Sequence, residues 1–180
     1  MSWGGRAAAL GVAWLVGACA LVPPAANLPS TDALTGRLAV RIEASEGVAV
    51  RSVTAGFDLR GDAVSGRLDL STPLGSVLAQ ARWVPGQVVL ATPQGETVFP
   101  DLDALTRDLL GESLPVAALF DWLRGRPWPG APSTPMVAPA EPGFAQLGWV
   151  VNLARFDEAW VAARRERAPV VTVRAKLDRP

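Results

Sequence analysis

The chain has 180 residues, with 17 Lys and Arg against 17 Asp and Glu, no histidine and a formal net charge of zero. That balance excludes a nucleic-acid partner, which would demand a basic face. With one cysteine (Cys19) and one lysine (Lys176), the chain also lacks most of the usual catalytic and metal-binding side chains, so neither a metal nor another cofactor is expected.

Residues 1–6 carry one positive charge, at Arg6, and residues 7–18 then run without a charge through Leu10, Val12, Trp14, Leu15 and Val16. This is the charged start and apolar run of a secretory signal, and it is too short to span a hydrocarbon core, which needs about 20 residues. The run ends in Leu15-Val16-Gly17-Ala18-Cys19, which resembles the lipobox of bacterial lipoproteins. Small residues let the strand lie in a peptidase cleft, and the thiol supplies the nucleophile that takes up diacylglycerol. The plain alternative is an unused thiol in a signal helix; a lone cysteine forms no internal disulfide. Residues 1–18 therefore read as a lipoprotein signal peptide. Residues 19–33 read as a lipidated tether, because the prolines at 23, 24 and 29 favour extended chain. Ala20, where an aspartate commonly retains lipoproteins in the inner membrane, is compatible with export to the outer membrane. Residues 34–180 are left as one domain; the mature chain of about 160 residues is long enough to bury roughly 68–70% of its unfolded surface.

From Leu34 the pattern has period two. Leu38, Val40 and Ile42 alternate with Arg37, Arg41 and Glu43, and Val53, Ala55, Phe57 and Leu59 alternate with Thr54, Asp58 and Arg60. Such runs predict half-buried strands with one apolar face. Gly61-Asp62 leads to a third run in which Val64, Gly66, Leu68 and Leu70 alternate with Ser65, Arg67, Asp69 and Ser71, so a hairpin is expected there. That placement also explains Arg60-Gly61-Asp62 without invoking its resemblance to a cell-adhesion tripeptide. Further strands are expected over residues 76–84, 87–92 and 96–99, divided by Pro85-Gly86 and Pro93-Gln94-Gly95.

The period changes at Asp101, the expected N-cap, after which Leu102, Leu105, Leu109 and Leu110 recur at helical spacing up to Gly111. Val116, Leu119, Phe120 and Leu123 repeat that spacing between Pro115 and Gly125. Asp101 and Asp103 resemble paired catalytic carboxylates, but acids in a first helical turn complement the helix dipole. Residues 127–143 contain six prolines and are expected to form an irregular surface loop. Strands are expected again over residues 144–147, 149–156, 159–163 and 170–178. Arg164-Arg165-Glu166-Arg167 reads as a solvated hairpin tip, with attraction to an anionic membrane as the functional alternative.

Several short motifs then occur in order: Phe57-Asp58-Leu59, Ser71-Thr72-Pro73-Leu74-Gly75-Ser76, Pro85-Gly86, the helix from Asp101 to Gly111, Leu114-Pro115-Val116 and Trp122-Leu123-Arg124-Gly125. Together with the lipobox, this series resembles the outer-membrane lipoprotein receptor family LolB from about Gly36 to Gly130, and more loosely through Gly148-Trp149 to the C-terminus. The resemblance implies a mainly β (α+β) fold: an antiparallel half-open β-barrel covered by short helices, with an apolar cavity. It implies a monomeric receptor anchored to the periplasmic face of the outer membrane. The receptor would take lipoproteins from a LolA-like periplasmic carrier and insert them into the inner leaflet of that membrane. No covalent chemistry is needed, so no catalytic residue is expected. Cavity candidates are the inward apolar positions Leu38, Val40, Ile42, Val53, Phe57, Leu59, Leu68, Leu70, Val88 and Leu90, with Leu119, Phe120 and Trp122 from the helical cover. Leu74, between proline and glycine at a loop tip, corresponds to a leucine that helps the family deliver cargo into the membrane; otherwise it would fold back on the barrel rim.

Two other readings compete. A serine hydrolase using Ser71 or Ser76 is opposed by the missing histidine and the missing Gly-x-Ser-x-Gly elbow. A structural or assembly lipoprotein with a filled barrel needs no ligand cavity, and a fluorescent fatty-acid probe separates it from a carrier.

Overall fold

The computed structural model describes residues 33–45 and 49–178; the signal peptide, most of the tether and Cys19 lie outside the described residues. In chain order the strands are β1 (Leu34–Ile42), β2 (Arg51–Gly61), β3 (Gly66–Ser71), β4 (Val77–Val84), β5 (Gln87–Thr92) and β6 (Gly95–Phe99). Helices α1 (Leu102–Leu110) and α2 (Val116–Trp122) follow, and then β7 (Ser133–Met136), β8 (Gly143–Gln146), β9 (Trp149–Asn152), β10 (Trp160–Arg165) and β11 (Val171–Leu177).

Among the described residues these eleven strands form one antiparallel sheet in the order β6-β5-β4-β3-β2-β1-β11-β10-β9-β8-β7. Pairing of β1 with β11 joins the two halves of the chain. The edge strands β6 and β7 do not pair with each other, so the barrel is half open, and the helices that link them in sequence pack on the concave face. Alternation chooses that face. In β11, Val171, Val173, Ala175 and Leu177 are buried while Thr172, Arg174 and Lys176 point outward, as the pleat requires.

Local chemistry sets the turns and caps. Asp62 accepts hydrogen bonds from the backbone N–H groups of Val64 (2.7 Å) and Ser65 (2.9 Å), which hold its carboxyl below the usual carboxylate range, Ser65 contributing most. Gly61 supplies the positive φ of +86° at that hairpin. Asp101 caps α1 by accepting from the Ala104 N–H at 2.6 Å. Gly111, at φ 78°, ends the helix by donating to the Arg107 carbonyl.

The C-terminal half departs from the sequence expectation in three places. Residues 133–136 form a strand inside the proline-rich segment, with Pro135 opposite Phe144. This is tolerated because β7 is an edge strand, whose free side needs no donor. The strand expected over residues 149–156 stops at Asn152, whose side chain accepts the Ala154 N–H at 2.9 Å and turns the chain into a short 3-10 helix, Phe156–Glu158. Arg164 and Arg165 belong to β10 rather than to a solvated tip, and Arg165 is only 6% exposed. Its odd parity along β10 points it inward with Val161 and Ala163.

Candidate functional site: an apolar interior and an exposed leucine

Val40, Ile42, Phe57, Leu59, Val88, Leu90, Phe120 and Trp122 belong to one contiguous buried cluster, and Leu38, Leu68, Leu70 and Leu119 pack against it half-buried. The expected cavity positions therefore converge, with one exception. Val53 lies on the inward phase of β2 but is 42% exposed, because β3 leaves β2 at the Gly56–Ser71 pair and Val53 has a neighbouring strand only in β1.

Helix α2 occupies part of the interior that these residues surround. α2 inserts Phe120 edge-on against Trp83, with ring centroids 5.7 Å apart. Trp122, fully buried, packs against Phe144 and Trp149 at 6.4 and 6.1 Å. Such aromatic burial contributes well beyond surface area alone. A cleft of about 540 Å³ opens instead beside the helices, lined among others by Leu102, Val116, Ala118, Trp128, Trp149 and Arg165. None of the expected cavity positions lines it.

Two polar groups tie the helical cover to the C-terminal half of the sheet, and the sequence reading missed both. Gln146 occupies the inward phase of β8 beside Phe144 and is buried. Its carbonyl oxygen accepts from Trp122 Nε1 at 2.7 Å and from the Trp128 N–H at 2.9 Å. Its amide donates to the carbonyls of Trp128 and Ala131, both at 2.7 Å. A polar residue on the apolar phase of a strand was the signal that could have found it. Gln146→Leu should leave these buried groups without partners and cost about 3 kcal/mol, a fall of roughly 6–12 °C in Tm for a domain of this size. Thermal denaturation measures this directly, and an unchanged Tm would remove Gln146 from the structural framework.

Arg165 is the second tie. Its Nη2 donates to Glu112, in the linker between α1 and α2, at 2.7 Å and to the Pro169 carbonyl at 3.1 Å, while its guanidinium lies 5.7 Å from the Trp149 ring. Strand β10 is thereby joined to the helix pair by an ion pair whose arginine is almost wholly buried.

Leu74 contrasts with all of these. It is 96% exposed on a loop closed by its own hydrogen bonds. The Thr72 N–H donates to the Ser76 carbonyl at 2.8 Å, the Gly75 N–H to the Thr72 carbonyl at 2.9 Å, and the Ser76 N–H to Thr72 Oγ1 at 3.1 Å. Gly75 takes the positive φ, +86°. The leucine is held outward by a preset turn and does not fold back on the rim.

The family model described as outer membrane lipoprotein LolB matches residues 32–173. The chain belongs to that family. Relatives named outer-membrane lipoprotein LolB include one from Bordetella petrii, 34% identical over 182 residues that cover 96% of this chain and 91% of the relative. One from Bordetella pertussis is 36% identical over 153 residues, covering 81% and 76% respectively, and one from Cupriavidus pinatubonensis is 35% identical over 168 residues, covering 83% and 75%. The LolB match begins just before β1 and ends within β11, so it takes in the Leu74 loop, both helices and most of the apolar interior. Among the described residues no helix is long and apolar enough to cross a membrane, and no group of acids, cysteines and histidines could hold a metal ion.

Proposed function

We propose that this protein is an outer-membrane-anchored receptor that takes lipoproteins from a LolA-like periplasmic carrier and passes them into the inner leaflet of the outer membrane. It is a transport receptor and not an enzyme. Residues 1–18 are its signal peptide, Cys19 carries the lipid, residues 19–33 tether the domain, and residues 34–180 handle cargo as a monomer. The observation that carries the reading is Leu74, an aliphatic side chain held in water by a turn that closes on itself. Exposing it has a cost that an interaction with lipid repays.

Acyl chains cannot cross water unaided at a useful rate, since each methylene is worth about 0.8 kcal/mol. The inward face of the sheet supplies an apolar surface of the right kind: Leu38, Val40, Ile42, Phe57, Leu59, Leu68, Leu70, Val88 and Leu90, with Leu119, Phe120 and Trp122 above them, and Val53 at the uncovered end of β2. Because Phe120 and Trp122 of α2 occupy part of that space, cargo entering it competes with the helical aromatics for the same apolar surface. Binding is correspondingly weakened, which suits a receptor that must also release. Transfer then follows a ladder of affinities from carrier to receptor to bilayer, without a nucleotide.

The packed interior favours one competing reading, a structural or assembly lipoprotein with no ligand cavity. That reading leaves the exposure of Leu74 unexplained. The deciding experiment incubates the protein with a carrier–lipoprotein complex and then with liposomes. The lipoprotein is expected to change partner and then enter the vesicles. Cargo that stays on the carrier, with no saturable displacement of a fluorescent fatty acid from the protein, would assign it to the structural class.

A further inference from the structure

The convex face of the sheet carries a charge arrangement that neither the interior nor the Leu74 loop uses. Outward positions on β1 are Arg37, Ala39 and Arg41, and on β11 they are Thr172, Arg174 and Lys176. The register sets Arg37 opposite Lys176, Ala39 opposite Arg174 and Arg41 opposite Thr172. Four cations thus share one area that extends roughly 13 Å along the strands. None of the four makes an ion pair with a carboxylate among the described residues.

The nearest acids stand at the ends of this area: Asp178 follows Lys176 by two residues, Glu43 lies beyond Arg41 and is paired with Arg164, and Asp58, opposite Thr35, is held by Arg60. On one side β2 presents Gly56, Thr54 and Ser52. On the other, β10 presents Trp160, Ala162 and Arg164, of which Arg164 is already matched by Glu43 and Glu166. Lys176 lies 5.6 Å from the Trp160 ring and donates to the Glu158 carbonyl, while the Glu158 carboxylate is taken by Arg155. The chain as a whole has a formal net charge of zero, so this local excess and not the overall charge sets the field at the face.

We infer that this basic face docks on an anionic lipid surface and holds the domain against the leaflet to which the lipid on Cys19 fastens it. The inference rests on the proposed anchor. The strand that follows the tether is the one that carries Arg37 and Arg41, and residues 20–33 reach at most roughly 50 Å when extended. The face therefore never leaves the neighbourhood of the bilayer. A tethered contact forms at an effective concentration on the order of millimolar, and each Lys or Arg near an anionic leaflet adds about fivefold in attraction. An acidic protein arriving from solution would compete against that local advantage. Because Leu74 stands at the strand ends and the cations line the strand wall, docking through the wall and insertion of Leu74 are different poses. The first belongs to the resting receptor and the second to delivery.

The test uses the full-length lipidated chain reconstituted in vesicles. With Cys19 occupied by lipid, Ala39→Cys provides the one free thiol for a fluorophore, and a lipid with a nitroxide on its headgroup serves as quencher. Strong quenching is expected in phosphatidylglycerol-rich vesicles, and little in phosphatidylcholine vesicles or at high salt. Adding Arg37→Gln, Arg174→Gln and Lys176→Gln should lower the docked-to-undocked ratio about a hundredfold. Equal quenching in neutral and anionic vesicles by protein that floats with both would overturn the docking while leaving the anchor intact. Failure to float with either would overturn the anchor and the docking together. If the triple variant keeps its quenching and instead loses capture of lipoprotein from the carrier, the face belongs to an acidic protein partner and the lipid assignment is wrong.

Discussion

Leu74→Glu is expected to leave the fold and the uptake of cargo nearly unchanged and to abolish most of the passage of lipoprotein into liposomes. At 96% exposure the side chain makes almost no contact that folding depends on, and surface substitutions of this kind change stability within about 0.5 kcal/mol. The turn survives because its hydrogen bonds run between Thr72, Gly75 and Ser76 and none involves the Leu74 side chain. On the proposed reading uptake depends on the apolar interior, of which the Leu74 side chain is no part. What changes is the tip itself, because a glutamate resists entering hydrocarbon while a leucine favours it. Thermal melting, carrier-to-receptor transfer and liposome incorporation can be measured on one purified variant. A large fall in Tm would place Leu74 in the core after all, and normal incorporation at normal stability would refute its part in delivery.

Cys19→Ala should remove the lipid completely, because the chain has no second thiol to accept it. A diacylglycerol places two acyl chains in the leaflet, each stabilised by about 0.8 kcal/mol per methylene, whereas a single chain gives only reversible binding. Losing both would convert the proposed permanent anchor into none, apart from the proposed attraction of the basic wall of β1 and β11 to lipid, which depends on salt. The variant is expected to accumulate as uncleaved precursor or as protein that washes from the membrane at high salt. Radioactive palmitate should label the wild type and not the variant. Persistent labelling of the variant would assign the lipid to another group.

The strands of the N-terminal half were legible because alternation is a local property: in Val40, Ile42, Phe57 and Leu59 every second side chain is apolar and buried. The caps of α1 were legible for the same reason, since Asp101 meets an N–H only three residues along and Gly111 meets only its own helix. The exposure of Leu74 follows from Pro73 and Gly75, its immediate neighbours in the turn.

Position in the fold decided the rest. Arg165 reads as a surface charge until Glu112, 53 residues away in sequence, is brought against it from the helix pair. Gln146 reads as one polar residue in a short strand until Trp122 and Trp128 close on it. Val53 follows the same alternation as Phe57 and yet stays in water, because coverage depends on where β3 ends and not on the phase of β2. The sequence by itself determined which side chains face inward, because the two-residue pleat and the helical turn are set by neighbours in the chain. Whether the inward space is open or filled, and which charges are buried within it, only the tertiary structure decided, because those outcomes depend on contacts between residues far apart along the chain.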